Sequence, residues 1–568
     1  MFKNQPAGLY VLSLANTGER FGYYTMLAIF LLFLQAKFGF DSTVSGQIYA
    51  IFLATVYFMP LVGGWLADKW SFSKCVVTGI CVMFAGYAVM AIPTDIRSTT
   101  SLVILCGALV LIACGTGLFK GNLQVMVGDL YNEARYSGQR DAAFSLFYMA
   151  INIGSMFAPM AATAMCNIAL KGQNLVYNAD LPALCNKFLD SADPSVAASI
   201  VKTAAAEGMT VGENVGEWCT TYISTLSTGY SYAFAVACFS LIVSFLIYFL
   251  GRRSYAHILT GKKADKKTAA NVGPELTPAQ TKARVTALLL VFAVVIFFWM
   301  VFHQNGATLT EFAKSCTAPE ASGWTRIGFN VWALLSIAVG VYALFGFFQS
   351  KTVKGRGICA VLLAAVAGAL WYFYNSTPDP VLGIQPQQYQ QFNPFYVVAL
   401  TPVSLAIFGW LATKKKEPSA PRKIGYGMIM AAVAYGVMTV GSLAIVGTSG
   451  AVSPNWLIST YLLLTFAELL LSPMGISFVS KVAPPKLKGS MMGGWFAATA
   501  IGNYLVSIPM ILWGKIPTYL VWIILIVICL VSAGFIFSIM KKLEAATNDS
   551  ETPAEAAKSL ETVEDDVI

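Results

Sequence analysis

The first apolar stretch of the chain carries residues that could do chemistry: Asn16, Glu19, Arg20, Tyr23 and Tyr24. Their offsets of 0, 3, 4, 7 and 8 put them on one face of a helix. Lys120 sits in the run Gly115-Thr116-Gly117-Leu118-Phe119-Lys120-Gly121-Asn122, where nothing in its own helix can neutralise it. Glu468 is equally alone between Leu463 and Pro473. An ionisable side chain inside an apolar span is expensive, so each is a candidate for binding or proton transfer. A lone cation in one half and a lone anion in the other suggest each other as partners across a central gap. The alternatives are a structural salt bridge stapling the halves and, in the first helix, a Glu19–Arg20 pair that neutralises itself.

The elements that must position these groups follow from composition. Of 568 residues, 57% are hydrophobic and 11% charged, with a mean hydropathy of +0.66. A soluble core could not bury so much apolar surface, whereas a bilayer accommodates it, each crossing taking about 20 apolar residues. The fold class is therefore an all-α membrane protein. Apolar runs predict fourteen spans at 8–36, 46–67, 75–93, 101–127, 142–165, 229–250, 285–312, 328–349, 358–375, 395–413, 425–447, 456–479, 490–512 and 518–540. The net charge of +9 is spread through short loops, which argues against a nucleic-acid partner. With the N-terminus inside, the basic clusters all fall on the cytoplasmic side: 252–284, Lys351/Lys354/Arg356, Lys414–Lys416, Lys481/Lys486/Lys488 and Lys541/Lys542. Both termini are then cytoplasmic, in a multi-pass protein of the cell (inner or plasma) membrane.

The domain reading is an N-terminal six-helix bundle over 1–251, with a long extracytoplasmic loop at 166–228, and a basic linker at 252–284. A C-terminal six-helix bundle follows over 285–540, with an inserted hairpin at 328–377, and then a disordered tail over 541–568. A faint repeat supports two halves: Gly64-Trp65-Leu66-Ala67-Asp68-Lys69 against Gly409-Trp410-Leu411-Ala412-Thr413-Lys414. Loop 166–228 holds Cys166, Cys185 and Cys219, with Cys316 near the same face. An oxidising compartment would permit a disulfide there, unpaired thiols being the alternative.

The run Glu19-Arg20-Phe21-Gly22-Tyr23-Tyr24 resembles the first-helix motif of the proton-dependent oligopeptide transporters (POT/PTR), in the major facilitator superfamily. Phe147-Tyr148-Met149-Ala150-Ile151-Asn152-Ile153-Gly154-Ser155 is similar to that family's fifth helix, and Gly64–Lys69 to the superfamily's loop after helix two. Phe298-Trp299 with Phe302–Gly306 resembles its seventh helix, and Phe392-Asn393-Pro394 its eighth. Glu468-Leu469 with Ser472–Gly475 is similar to its tenth, and Gly494-Trp495-Phe496 to its eleventh. The resemblance implies two six-helix bundles with a site between them, importing di- and tripeptides with protons and needing no cofactor or metal beyond the proton gradient. It further implies that Glu468 holds the peptide's amino terminus while Arg20 and Lys120 face its carboxylate. Asn152 and Asn393 would bond the peptide backbone. Tyr23, Tyr24, Tyr57, Trp299, Ser472 and Trp495 would line the site, ordinary packing being the alternative for the aromatics. Proton coupling and gating would fall to Glu19, Arg20, Lys120, His303 and Glu468.

The sequence departs from that pattern at three positions. Asn16 replaces the first acid of the motif, and Leu27 and His303 replace an Arg and an acid that pair in the family. Losing both members of a pair strands no charge. His303 becomes a candidate proton acceptor, because histidine titrates near neutral pH; a neutral structural histidine is the alternative. The runner-up function is a transporter of the same fold for another small solute, an anion or a modified amino acid. An enzyme is disfavoured by two histidines in all and by the lack of H-E-x-x-H and G-x-S-x-G motifs. A sensor is disfavoured because no soluble domain is evident.

Overall fold

The computed structural model describes residues 5–131, 136, 140–260, 277–447, 450–484 and 487–548. The first half comprises α1 (Ala7–Phe38), α2 (Ser42–Lys69), α3 (Phe72–Ala91), α4 (Thr99–Asp129), α5 (Arg140–Lys171), α6 (Leu181–Ser191), α7 (Pro194–Ala206), α8 (Val215–Leu250) and α9 (Ala256–Thr260). The second comprises α10 (Pro278–Phe302), α11 (Thr308–Ser315), α12 (Val331–Gln349), α13 (Val353–Ser376), α14 (Phe392–Thr413), α15 (Ala420–Leu443), α16 (Asn455–Val482), α17 (Lys488–Leu505), α18 (Ser507–Leu512), α19 (Thr518–Ser538) and α20 (Met540–Asn548). Fourteen segments among the described residues are long and apolar enough to cross a bilayer. They coincide with the fourteen expected from sequence, with ends that differ by up to 14 residues.

The largest shift is at α8, which begins at Val215, well ahead of the expected 229. Residues 215–228 look polar, yet Cys219, Tyr222, Ile223 and Leu226 recur at helical spacing and are buried. The expected loop 166–228 is thus mostly helix, with α6 and α7 folded over the end of the bundle. Each of these two begins with proline in its first turn, where a missing N–H costs nothing. The start of the expected disordered tail is also ordered: Met540–Asn548 is helical, and Glu544 bonds Ser419 and Arg422 of α15. The remainder of the tail, and 261–276 of the linker, lie outside the described residues.

Two apolar cores form, one dominated by α1–α8 and the other by α10–α20. Between them, α2 packs on α17 and α18, and α5 packs on α14. The hairpin α12–α13 lies over that second seam. Trp332 of α12 meets Phe157 of α5 edge-on at 5.1 Å, while α13 has no buried residue, as a lipid-facing helix would. Its connections are tied by β1 (Glu320–Ala321) paired antiparallel with β2 (Val381–Leu382), and by Arg326 bonding Asp379 at 2.6 Å. The sequence repeat is matched in three dimensions. Lys69 lies 3.7 Å over the Trp65 ring at the end of α2, and Lys414 lies 4.6 Å over Trp410 at the end of α14. Each such contact contributes about 0.5–1 kcal/mol at an exposed site.

The face carrying the basic loops and the face where α1 ends can be told apart by what joins the halves. Beyond the middle of the bilayer, towards the end of α1, side chains bridge them repeatedly. Gln35 of α1 donates to Glu311 and accepts from Lys314 (2.6 Å), both on α11. Gln385 donates to Asn167 (2.7 Å), Gln387 to Thr163 (3.1 Å) and Gln390 to the Ala28 carbonyl (3.1 Å). We term this the far face. On the basic side of the middle, Phe144 and Tyr148 of α5 are exposed.

Helix α2 reaches α4 closely at one crossing, where a Cβ on Gly63 or Gly117 would overlap backbone of the facing helix. Gly117→Val should therefore lower the Tm of purified protein and cost about 1–3 kcal/mol by overpacking. Gly409→Val, placed in open space, should leave Tm unchanged. Equal Tm values for the two variants would show that the crossing is not tight.

Candidate functional site

Helix α1 sits deepest in the structure, wedged against α5 and α8. Two polar bonds fix its rotation: Thr17 donates to the Ala150 carbonyl of α5 (3.0 Å), and Ser244 of α8 donates to the Ala15 carbonyl (2.5 Å). With rotation set, Asn16, Glu19, Arg20 and Tyr23 are buried and Tyr24 half-buried. Glu19 and Arg20 form a fully desolvated, two-pronged ion pair, and the guanidinium carbon lies 4.7 Å over the Tyr23 ring. The self-neutralising pair foreseen for this helix does form, and it lies in the middle of the molecule rather than at an edge.

Lys120 and Glu468 do not pair with each other, contrary to the expectation that two lone opposite charges would meet. The Lys120 ammonium lies 4.1 Å over the face of Tyr57. Glu468 accepts hydrogen bonds from the Tyr148 hydroxyl at 2.9 Å and the Asn393 amide at 3.0 Å. An aromatic face and two neutral donors thus stand in for the missing partner of each ion. The physical reason is capacity: a carboxylate has about four acceptor sites, and neutral dipoles can fill some of them without bringing a second ion into a desolvated space. The charges nonetheless lie in one neighbourhood. Tyr24 and Tyr57 both lie within electrostatic reach of Arg20 and of Glu468, and Lys120 lies within reach of Arg20 and Glu19.

Asn393 also donates to Thr465 (3.0 Å), which anchors α14 to α16 beside Glu468. Asn152 donates to the Tyr148 carbonyl one turn back (2.9 Å), leaving its amide oxygen for another donor. His303 follows the last residue of α10, stacked on Trp299 at 4.9 Å and tilted against Tyr57 at 5.8 Å. Its Nδ1 lies at hydrogen-bond distance (2.5 Å) from the Asn503 side-chain amide. The Trp299 indole N–H, the Tyr23 hydroxyl and the Asn503 amide nitrogen are buried with no protein partner. Trp495 is buried against Phe292 (6.4 Å), and its ring abuts Gly475, where any Cβ would overlap it. Ser472 is half-buried one turn beyond Glu468. Leu27 is buried in apolar surroundings, as a position relieved of charge should be.

Sequence reasoning missed Tyr148, Asn503 and the far-face bridges. Tyr148 lies within the recognised fifth-helix run, but only the fold brings α5 to α16. Five glutamines in the seven residues from Gln385 to Gln391 were the available signal for the far-face seal. Nothing in the local sequence marks Asn503.

Comparison with known proteins bears on this arrangement. The model of the POT family matches residues 73–178 and 359–528. An uncharacterized transporter, YclF, of Bacillus subtilis (strain 168) is 27% identical over 536 residues, covering 91% of this chain and 90% of its own length. Dipeptide and tripeptide permease A of Escherichia coli (strain K12) is 24% identical over 526 residues, covering 89% and 84%. A crystal structure of the peptide transporter POT in complex with sulfate superposes with a TM-score of 0.65 over 96% of each chain; at 21% identity it speaks for the fold alone. The motifs in α1, α5, α10, α14, α16 and α17 thus sit in the fold they imply, and the chain is similar to the POT family of transporters both in the residues its model matches and in fold.

Proposed function

We propose that the chain is a proton-coupled symporter that imports di- and tripeptides by alternating access. The observation that carries this reading is unlike charge set on the two halves around Tyr24 and Tyr57. Arg20 and Lys120 lie on the first half and Glu468 on the second, and among the described residues the direct contacts of Lys120 and Glu468 are with neutral groups. A small zwitterion has the complementary pattern. Its ammonium would displace Tyr148 from Glu468, exchanging a neutral donor for a charged one, which makes a hydrogen bond about twice as strong. Its carboxylate would meet Lys120 and Arg20, and the Asn152 and Asn393 amides would bond the peptide link between. Tyr23, Tyr24, Tyr57, Trp299, Ser472 and Trp495 would form walls that read no single side chain. The printed name of the Escherichia coli relative supports a cargo of this size.

The described conformation supports a cycle as well. Bridges between the halves seal the far face, while Tyr148 is exposed on the basic side. Tyr148–Glu468 joins the halves amid these charges, so cargo that takes Glu468 away from Tyr148 removes a bond holding them. Proton coupling is assigned to Glu19, Arg20, Lys120, His303 and Glu468. A proton on Glu468 would cancel the charge that holds the cargo's ammonium and so favour release. With the basic loops on the cytoplasmic side, release is inward.

Reconstituted in vesicles with an inward proton gradient, the protein should accumulate a labelled dipeptide, and free amino acids should not compete. Uptake indifferent to the gradient would indicate a facilitator, and competition only from another solute class would indicate a same-fold transporter of an anion or modified amino acid. Glu468→Gln should cut dipeptide uptake by about 10- to 100-fold, the loss of one charge-assisted contact; near-normal uptake would remove Glu468 from the site. His303→Gln keeps a hydrogen-bonding side chain beside Asn503 but cannot take a proton. It should abolish gradient-driven accumulation while sparing peptide exchange, and unchanged accumulation would move the proton to Glu19 or Glu468.

A further inference from the structure

Cys185 lies on α6 and Cys219 on the first turns of α8, and both side chains are fully buried where the two helices pack. Both are free thiols in this structure, and each lies within electrostatic reach of the other. The other cysteines of this face are elsewhere. Cys166 of α5 packs against Gly229, ten residues further along α8, which at 1.5 Å per residue is about 15 Å from Cys219. Cys316 bonds Ser315, and its carbonyl accepts from Val452 in the other half (2.9 Å). Among the described residues no group of three metal-ligating side chains forms, so the two thiols are not part of a metal centre.

The rest of α6 is fastened already. The Asn186 amide donates to the carbonyls of Gln35 (3.3 Å) and Ala36 (2.9 Å), capping the last turn of α1, and Arg97 pairs with Asp190. Only the cysteine pair joins α6 to α8 by side chains capable of a covalent bond.

We propose that Cys185 and Cys219 form a disulfide, a structural cross-link that locks the α6–α7 lid to α8 as a rigid part of the first half. The proposal rests on the orientation argued above, which puts the far face outside the cytoplasm, where disulfides persist. The oxidant is an extracytoplasmic dithiol oxidoreductase in its disulfide form. One cysteine thiolate attacks that disulfide and forms a mixed disulfide, expelling a thiolate of the donor. The second cysteine then displaces the donor, which leaves as a dithiol having taken up both electrons. Because both sulfurs end inaccessible, the bond forms before α6 settles on α8, and afterwards a reductant reaches it only as the lid opens on heating.

The test is a thiol count on full-length protein isolated from membranes in an alkylating agent and then denatured. We expect two fewer alkylatable thiols before reduction than the eleven after it, and a peptide linking Cys185 to Cys219 that is lighter by two hydrogens. Reductant should lower the Tm of the native chain but not that of the Cys185→Ala/Cys219→Ala variant. Lys202→Cys, exposed on α7, reads the orientation separately with a membrane-impermeant maleimide on intact cells. Eleven free thiols with Lys202→Cys labelled from outside would overturn the disulfide alone. Labelling only after permeabilisation would overturn the orientation and the disulfide with it.

Discussion

An ion in a bilayer must have its charge answered, and the architecture of this protein follows from how that is done. Lys120 and Glu468 are answered by a ring face and by neutral hydrogen bonds, which suffice to hold each ion but are weaker than a counter-ion would be. Each therefore remains ready to exchange its partners for a stronger one. Had the two collapsed onto each other, both would be satisfied and there would be little for a charged guest to gain. The Glu19–Arg20 pair differs: adjacent in sequence and desolvated, these two ions answer each other.

Holding Lys120 and Glu468 apart requires a scaffold that does not slump. The glycine crossing of α2 and α4 places Lys120 at the depth of Tyr57, and Asn393 ties α14 to α16 so that Glu468 is held from two sides. Hairpin α12–α13 overlies the seam between α5 and α14, with Trp332 against Phe157.

Much of this was legible in the sequence because the bilayer demands a continuous apolar run for every span, and such runs are hard to disguise. The spacing of Glu19, Arg20, Tyr23 and Tyr24 likewise fixed their placement, since helical geometry leaves little choice. What could not be read was long-range and polar. Tyr148 meets Glu468 across 320 positions of sequence, and Asn503 meets His303 across 200. No local pattern encodes such pairings, and so Glu468 was assigned Lys120, the nearest chemical complement, when two neutral donors were its actual partners. The start of α8 failed for a different reason. Its buried face is made of Cys219, Tyr222, Ile223 and Leu226 among threonines and serines, a stripe that is apolar only where α6 covers it.

The glutamine-rich turn before α14 has a consequence of its own. Gln385, Gln387 and Gln390 meet an asparagine, a threonine and a backbone carbonyl, all uncharged. When such bonds part, water can take each vacated position with nearly the same enthalpy, and no bare ion is uncovered. A clasp of amides thus differs little in free energy between made and broken, unlike the neighbouring contacts of Gln35 with Glu311 and Lys314, which involve ions.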